Sequence, residues 1–298
     1  MPIASLSQLI DRRFDELSPE LQRAARWLQR HEATIALHSM RSSARQAGVS
    51  PATMTRLSQR LGFEGFEALR QPARRQLAAQ AQVAPAAYAE RARAQQRKGA
   101  AAQERLDALN AAQQADAASV VARNTADAID AAADALLQAP RVFFLGLRVC
   151  HGLAYHLHYG WGLLKANGTL MNDLGGTLAD QALQIGRGDL LVAISQAPYT
   201  RRSVETVALA RRQGALVLAL TDSPLAPIAR GAQHVLLFDT ASPSFFHSLT
   251  GAQALMESLL AEAAARGGDA VLQRLQRMQQ HLHATRAYWE RPSHTAIR

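Results

Sequence analysis

The chain has 298 residues, and since domains typically run roughly 100–200 residues, its length favours two folded units. Hydrophobic residues make up 48% and charged residues 19%, ordinary globular proportions that exclude a wholly disordered or fibrous chain. The net charge of +9 is uneven: residues 1–98 hold 16 Lys+Arg against 8 Asp+Glu and residues 99–298 hold 17 against 16, which points to a polyanion, nucleic acid first, as partner of the N-terminal third.

The longest apolar runs, such as 215–220, fall far short of the ~20 residues that span a bilayer, and Asp11, Arg12 and Arg13 interrupt any apolar leader. A lone cysteine, Cys150, cannot form an intramolecular disulfide, which fits a reducing compartment. The expectation is a cytoplasmic protein with no membrane contact.

Up to about residue 77 the sequence reads as consecutive short helices. Ser18 and Pro19 open one of them as cap and first helical residue, and Leu21, Ala24, Ala25 and Leu28 repeat on one face. Residues 41–61 then fit a helix-turn-helix position by position. Small Ala44 and Ala47 allow close helix approach, Gly48 supplies the positive φ of a tight turn, and Val49 plugs the junction. Ser50 caps the second helix, Pro51 starts it, and Met54, Leu57 and Leu61 face the core. The opposite face carries Thr53, Thr55, Arg56, Gln59 and Arg60; with Ser50 and Ala52 at the helix start, these are the candidates for contact with phosphates and base edges. A helical hairpin without a DNA role, with arginines that only solvate its faces, is the alternative. Phe63 and Phe66 in the following Leu-Gly-Phe-Glu-Gly-Phe segment read as core anchors.

Residues 78–139 turn Ala/Gln-rich, with few large apolar residues before Val120, Ile129, Leu136 and Leu137. Pro85 and Gly99 interrupt this stretch, so two helical pieces and a mobile joint are expected. After Pro140, short apolar strands at 142–145, 169–171, 190–194, 216–220 and 235–238 alternate with helical stretches at 150–165, 175–184, 201–213, 224–230 and 248–266. That alternation predicts a doubly wound parallel sheet covered on both faces. From Asp269 on, Leu272, Leu275, Met278 and Leu282 mark a helix with one apolar stripe, suited equally to packing on the domain or to dimerisation.

Ligands of open parallel sheets bind outside the carboxyl ends of the strands near the switch point. Strand one leads there into Gly146-Leu147-Arg148-Val149-Cys150-His151-Gly152 and strand three into Ser195-Gln196-Ala197-Pro198-Tyr199-Thr200. Each loop turns directly into a helix, whose free N–H groups and dipole favour an anion, and Ser195 and Thr200 add hydroxyls unless they merely cap.

With both halves read, the chain resembles the RpiR/MurR family of bacterial transcription regulators. The resemblance rests on Ala-Gly-Val-Ser-Pro-Ala-Thr at 47–53, Arg56 and residues 61–66. In the second half it rests on the Gly146 loop, the Ser195-to-Thr200 loop, Thr-Asp-Ser-Pro at 221–224 and Phe246-His247-Ser248, which are similar to a sugar isomerase (SIS) domain. It implies an all-α N-terminal helix-turn-helix domain at 1–77, a helical linker at 78–127, an α/β SIS domain of flavodoxin type at 128–268 and a helical tail at 269–298. It further implies that the first domain binds double-stranded operator DNA within a homo-oligomer, at least a dimer, while the SIS domain holds a phosphorylated sugar or related small anionic metabolite. Two positions depart from the family pattern: Cys150 stands where serine is usual, and Ala197-Pro198 where Ser-Gly is frequent. Pro198 also removes a backbone donor, for which the Arg148 guanidinium offers a replacement. The effector-binding candidates are therefore Ser195 and Thr200, followed by Gln196, Arg148 and Cys150.

No cofactor is expected. His151, His156, His158, His234 and His247 lack a metal-ligand spacing. Cys150 at a helix start invites a lowered thiol pKa, but with no catalytic partner in the sequence its expected role is a small polar replacement for serine. An isomerase of SIS type, with Glu205 and His247 as its nearest base and acid candidates, is the enzymatic alternative, and a ligand-free dimerisation module is the third.

Overall fold

The computed structural model describes residues 9–10, 12–30, 35, 39–71, 88–97 and 99–289. The chain divides into two units, residues 1–84 with 223–225, and residues 85–222 with 226–298.

Among its described residues the first unit is built of helices and turns. Helices α1 (Pro19–Arg30), α2 (Met40–Ala47) and α3 (Pro51–Arg60) are followed by a helical stretch over 66–71. Ala24, Ala25, Leu28, Ala44, Ala47, Met54, Leu57, Leu61 and Phe66 share one buried cluster. Phe63 packs at its edge, so both phenylalanines are core residues. Gly48 ends α2 at φ 65°, and its N–H donates to Arg45 O. This left-handed turn releases the chain into α3. Ser50 caps α3, its Oγ accepting from Thr53 N at 3.1 Å, with Pro51 in the first turn. Ser50→Ala is expected to cost about 1 kcal/mol, read as roughly fivefold faster amide exchange across α3.

The second unit begins with helices α4 (Tyr88–Arg97), α5 (Ala102–Arg123) and α6 (Ala126–Gln138). Gly99, at φ 56°, separates α4 from α5; the break expected at Pro85 lies outside the described residues. Residues 102–123, read above as linker, contribute Asp116, Ser119 and Val120 to the interior. Five strands follow: β1 (Val142–Gly146), β2 (Gly168–Met171), β3 (Leu190–Ile194), β4 (Leu216–Thr221) and β5 (His234–Leu237). They form one all-parallel sheet in the order β2-β1-β3-β4-β5, with Val142 opposite both Gly168 and Leu190 and Leu190 opposite Leu216.

Alternate strand residues face two separate cores. Phe144, Val192 and Leu218 pack with α6, α7 (Cys150–Leu164) and α10 (Thr250–Arg266) on one face. Phe143, Leu145, Leu191 and Ala219 pack on the other with α8 (Leu178–Ala182) and α9 (Arg201–Arg212). Helix α11 (Gly268–Ala284) buries Val271 in the first of these cores and packs Leu275 against it.

Two expected helices are altered. Residues 224–230 form consecutive turns, because Pro224 and Pro227 interrupt helical hydrogen bonding. The 175–184 helix is reduced to a 3-10 turn at Leu174–Gly176 and the short α8, since Gly175 and Gly176 take φ of 67° and 76°.

No described helix is long and apolar enough to cross a membrane.

Candidate functional sites: the recognition helix and the strand-end cavity

In the first unit, α3 presents Ala52, Arg56, Gln59 and Arg60 to solvent, with Ser50 exposed at its start and Thr55 half-buried. Thr53 is not on this face. It is 1% exposed, and its hydroxyl meets Ser50 Oγ at 2.9 Å and Glu20 Oε2 at 3.5 Å. The cap that orients α3 turns this side chain inward. Thr55 Oγ1 donates to Pro51 O at 3.3 Å. Exposed Arg12, Arg13, Arg41 and Arg45 add positive charge from the preceding segments.

In the second unit the sheet order reverses between β1 and β3, and their C-terminal ends open into a cavity of about 720 Å³. Arg148 and Cys150 line it from the β1 side, and Gln196 and Thr200 from the β3 side. Ser195 is 3% exposed at the end of β3, where its N–H donates to Leu220 O, and it does not line the cavity. Gly146 sets the geometry of the first loop: a Cβ there would lie 2.2 Å from Cys150 O and 2.9 Å from Ala154 Cβ, so only glycine lets α7 start this close to β1. Arg148 takes the left-handed conformation at φ 56° and is exposed at the cavity mouth.

Asp222 holds the second loop. Its Oδ2 accepts from Ala197 N at 3.1 Å and its Oδ1 from Tyr199 Oη at 3.0 Å. Asp222 O in turn accepts from Arg123 Nη1 of α5 at 3.1 Å, and the same guanidinium pairs with Asp239. Helix α5 also fixes the chain leaving β5: Asp116 Oδ1 accepts from Ala241 N, Ser119 Oγ from Asp239 N, and Asn124 Oδ1 from Leu237 N. Burial raises the Asp116 pKa above its ordinary value.

The cavity's polar groups divide into satisfied and unsatisfied ones. Gln196 is 4% exposed, and neither its Oε1 nor its Nε2 has a hydrogen-bond partner. Leaving such an amide buried and unpaired costs ~1–3 kcal/mol, so a ligand that pairs it recovers that cost. Asp173 pairs with Arg202 through Oδ2, while its buried Oδ1 is also unpartnered. The Thr200 hydroxyl makes no capping bond although the residue precedes α9, whose first-turn N–H groups lie at the same end. Burial pushes the Cys150 thiol up to about 11, against the backbone N–H of Gln196 that favours its thiolate. Cys150 is thus a protonated, small polar wall group in the place of serine rather than a reactive thiolate.

An aromatic wall that the sequence reading did not assemble completes the cavity: Tyr88 of α4, Phe246 and His247. The Tyr88 ring centroid lies 5.6 Å from Phe246 and 6.3 Å from His247. Burial lowers the His247 pKa, and Arg91 adds to the effect. Tyr88 carried one signal in sequence, as the only aromatic residue between Phe66 and Phe143. Glu205 lies outside the cavity and pairs with Arg201 at 2.7 Å. The α7 histidines diverge: His151 Nδ1 meets Gly146 O, His156 meets Gln253, and His158 packs on Phe144.

These features match known proteins in both units. Residues 4–80 match the helix-turn-helix domain of the rpiR family, and residues 135–265 match the SIS domain. The HTH-type transcriptional regulator HexR of Pseudomonas aeruginosa is 30% identical over 229 residues, 74% of this chain and 75% of that protein. The sugar isomerase domain of an RpiR transcription factor from Sphaerobacter thermophilus superposes with a TM-score of 0.55 at 28% identity, covering 58% of this chain and 96% of that one. The Vibrio vulnificus NanR protein, solved in complex with ManNAc-6P, has the same fold at 18% identity, with a TM-score of 0.51 over 96% of this chain and 100% of that one. A helix-turn-helix unit is thus joined in one chain to a SIS-type parallel sheet, and the chain belongs to the RpiR family of helix-turn-helix transcriptional regulators with a SIS domain.

Proposed function

We propose that this regulator binds operator DNA through α3 and that its strand-end cavity senses a small anionic metabolite of the sugar-phosphate class, which alters operator affinity. Gln196 carries the reading: a buried carboxamide with both polar atoms unpaired lines an open cavity, beside a helix N-terminus and an exposed guanidinium. The first-turn N–H groups of α9, Thr200 and Arg148 suit a phosphate. Gln196 and Asp173 Oδ1 suit hydroxyls. The ManNAc-6P bound by NanR is a ligand of this class in a protein of the same fold.

The DNA-contacting set is Ser50, Ala52, Thr55, Arg56, Gln59 and Arg60, with Thr53 supporting the cap. Of the effector set, Thr200, Gln196, Arg148 and Cys150 meet the ligand, and Ser195 supports the loop from below. The site binds without turnover. Isomerisation needs a base and an acid placed together at the sugar, whereas Glu205 stands outside the cavity and His247 faces the Arg91 guanidinium at 3.5 Å. The protein acts as a dimer in the cytoplasm, because two helix-turn-helix copies read the halves of a near-palindromic operator.

Thermal unfolding with fructose 6-phosphate, N-acetylmannosamine 6-phosphate and inorganic phosphate tests this. A bound effector raises the melting temperature with concentration. Gln196→Leu is expected to weaken that binding about tenfold, the ~1.4 kcal/mol of a lost buried polar pairing, and to blunt the change in gel shift. A flat melting temperature with every sugar phosphate would leave the SIS domain as a dimerisation module, and product formed from any of them would make it an enzyme.

A further inference from the structure

We infer that α4 is an effector-gated latch: Tyr88 closes the cavity over the ligand, so that ligand binding fixes the first helix that follows the DNA-binding unit. The inference rests on the sensing reading above and adds the element that transmits it.

The argument starts from how little holds α4. After Tyr88 its sequence to Arg97 is polar apart from alanines, and none of its residues is buried. Among the described residues, Tyr88 and Arg91 anchor it. Tyr88 packs its ring against Phe245, Phe246 and His247 at 6.5, 5.6 and 6.3 Å. Arg91 donates to Ser242 O at 2.9 Å and meets His247 Nδ1 at 3.5 Å. Both anchors grip the same loop, 242–247. Elements with few buried contacts open at low free energy, so α4 is poised between docked and undocked states.

The cavity biases that equilibrium. Tyr88, Phe246 and His247 line it together with Gln196 and Thr200. A ligand seated on the Gln196 side therefore touches Tyr88 only when α4 is docked, and this difference in contact is what lets a ligand shift a population. A sugar ring suits the wall, since its C–H faces pack on aromatic rings while its hydroxyls turn to Gln196 and Asp173. Chain connectivity supplies the output. Tyr88 stands four residues beyond Ala84, where the first unit ends, so fixing α4 fixes the helix that follows the DNA-binding unit in the chain.

Amide exchange on the full chain, with and without N-acetylmannosamine 6-phosphate and fructose 6-phosphate, tests the latch. In the wild type a probe that protects 146–150 and 196–202 is expected to protect 88–97 as well. Tyr88→Ala is expected to bind the probe about tenfold more weakly and to bring the ratio of operator affinities with and without it close to one, from the 5- to 150-fold typical of allosteric coupling. Tyr88→Phe keeps the ring and should retain both. Protection of 146–150 and 196–202 with exchange in 88–97 unchanged would overturn the latch and leave the sensing reading standing, as would a Tyr88→Ala variant with the wild-type ratio. Failure of both probes to protect any cavity loop would overturn the sensing reading and the latch with it.

Discussion

Operator binding is expected to weaken about 10³-fold as salt rises from 50 to 200 mM. Each copy of the first unit exposes Arg12, Arg13, Arg41, Arg45, Arg56 and Arg60. If half of these reach phosphates, the proposed dimer neutralises about six, and counterion release then gives a log–log slope near −5. Arg56→Ala separates the two kinds of contact. An arginine on phosphate should flatten the slope by about one per copy and weaken all sequences alike. One that reads a base edge should cost about 1–3 kcal/mol and relax preference at a single base pair. Affinity that does not respond to salt would remove the arginine face from recognition altogether.

Gly146→Val is expected to destabilise the second unit by about 3 kcal/mol and to disable the cavity, since overpacking a tight contact costs typically 1–3 kcal/mol and occasionally more. The added Cβ would meet Cys150 O at 2.2 Å and Ala154 Cβ at 2.9 Å, against backbone that cannot swing aside. Helix α7 must then move off the end of β1, carrying Arg148 and Cys150 away from Gln196. The melting temperature should drop by roughly 6–12 °C for a unit of this size, and the response to sugar phosphates should vanish with it. Gly152→Ala is the control. It lies within the same helix with open space around it, so it should be neutral or slightly stabilising. A Gly146→Val protein with wild-type melting and wild-type ligand response would show that the β1-to-α7 approach is not what shapes the site.

Much of this protein was legible in its sequence, because the signals were local. Gly48, Ser50 and Pro51 act within one turn of each other, and the cap and left-handed turn they predict are both present. The strands stood out as short apolar runs because a parallel sheet covered on both faces leaves no polar side; β1 and β3 are buried at every residue. Helix α7 and helix α9 likewise begin where their loops end, at Cys150 and Arg201.

Tertiary structure decided whatever depends on residues distant in the chain. The strand order that puts the β1 and β3 loops side by side follows from pairing across 48 positions, Val142 with Leu190. Asp116 and Ser119 lie in the Ala/Gln-rich stretch read as a linker, yet each bonds the chain leaving β5 more than a hundred residues on. Thr53 has the composition of a DNA contact and the position of one, and only the packing of Glu20 beside it shows that it turns inward. The same holds for Cys150: its place at a helix start favours the thiolate, but burial outweighs that preference and keeps the proton on sulfur. Caps and turns act through bonds a few residues long, and so can be read along the chain. Burial, pairing and the place of Tyr88 in the cavity wall arise between segments that meet only when the whole unit folds.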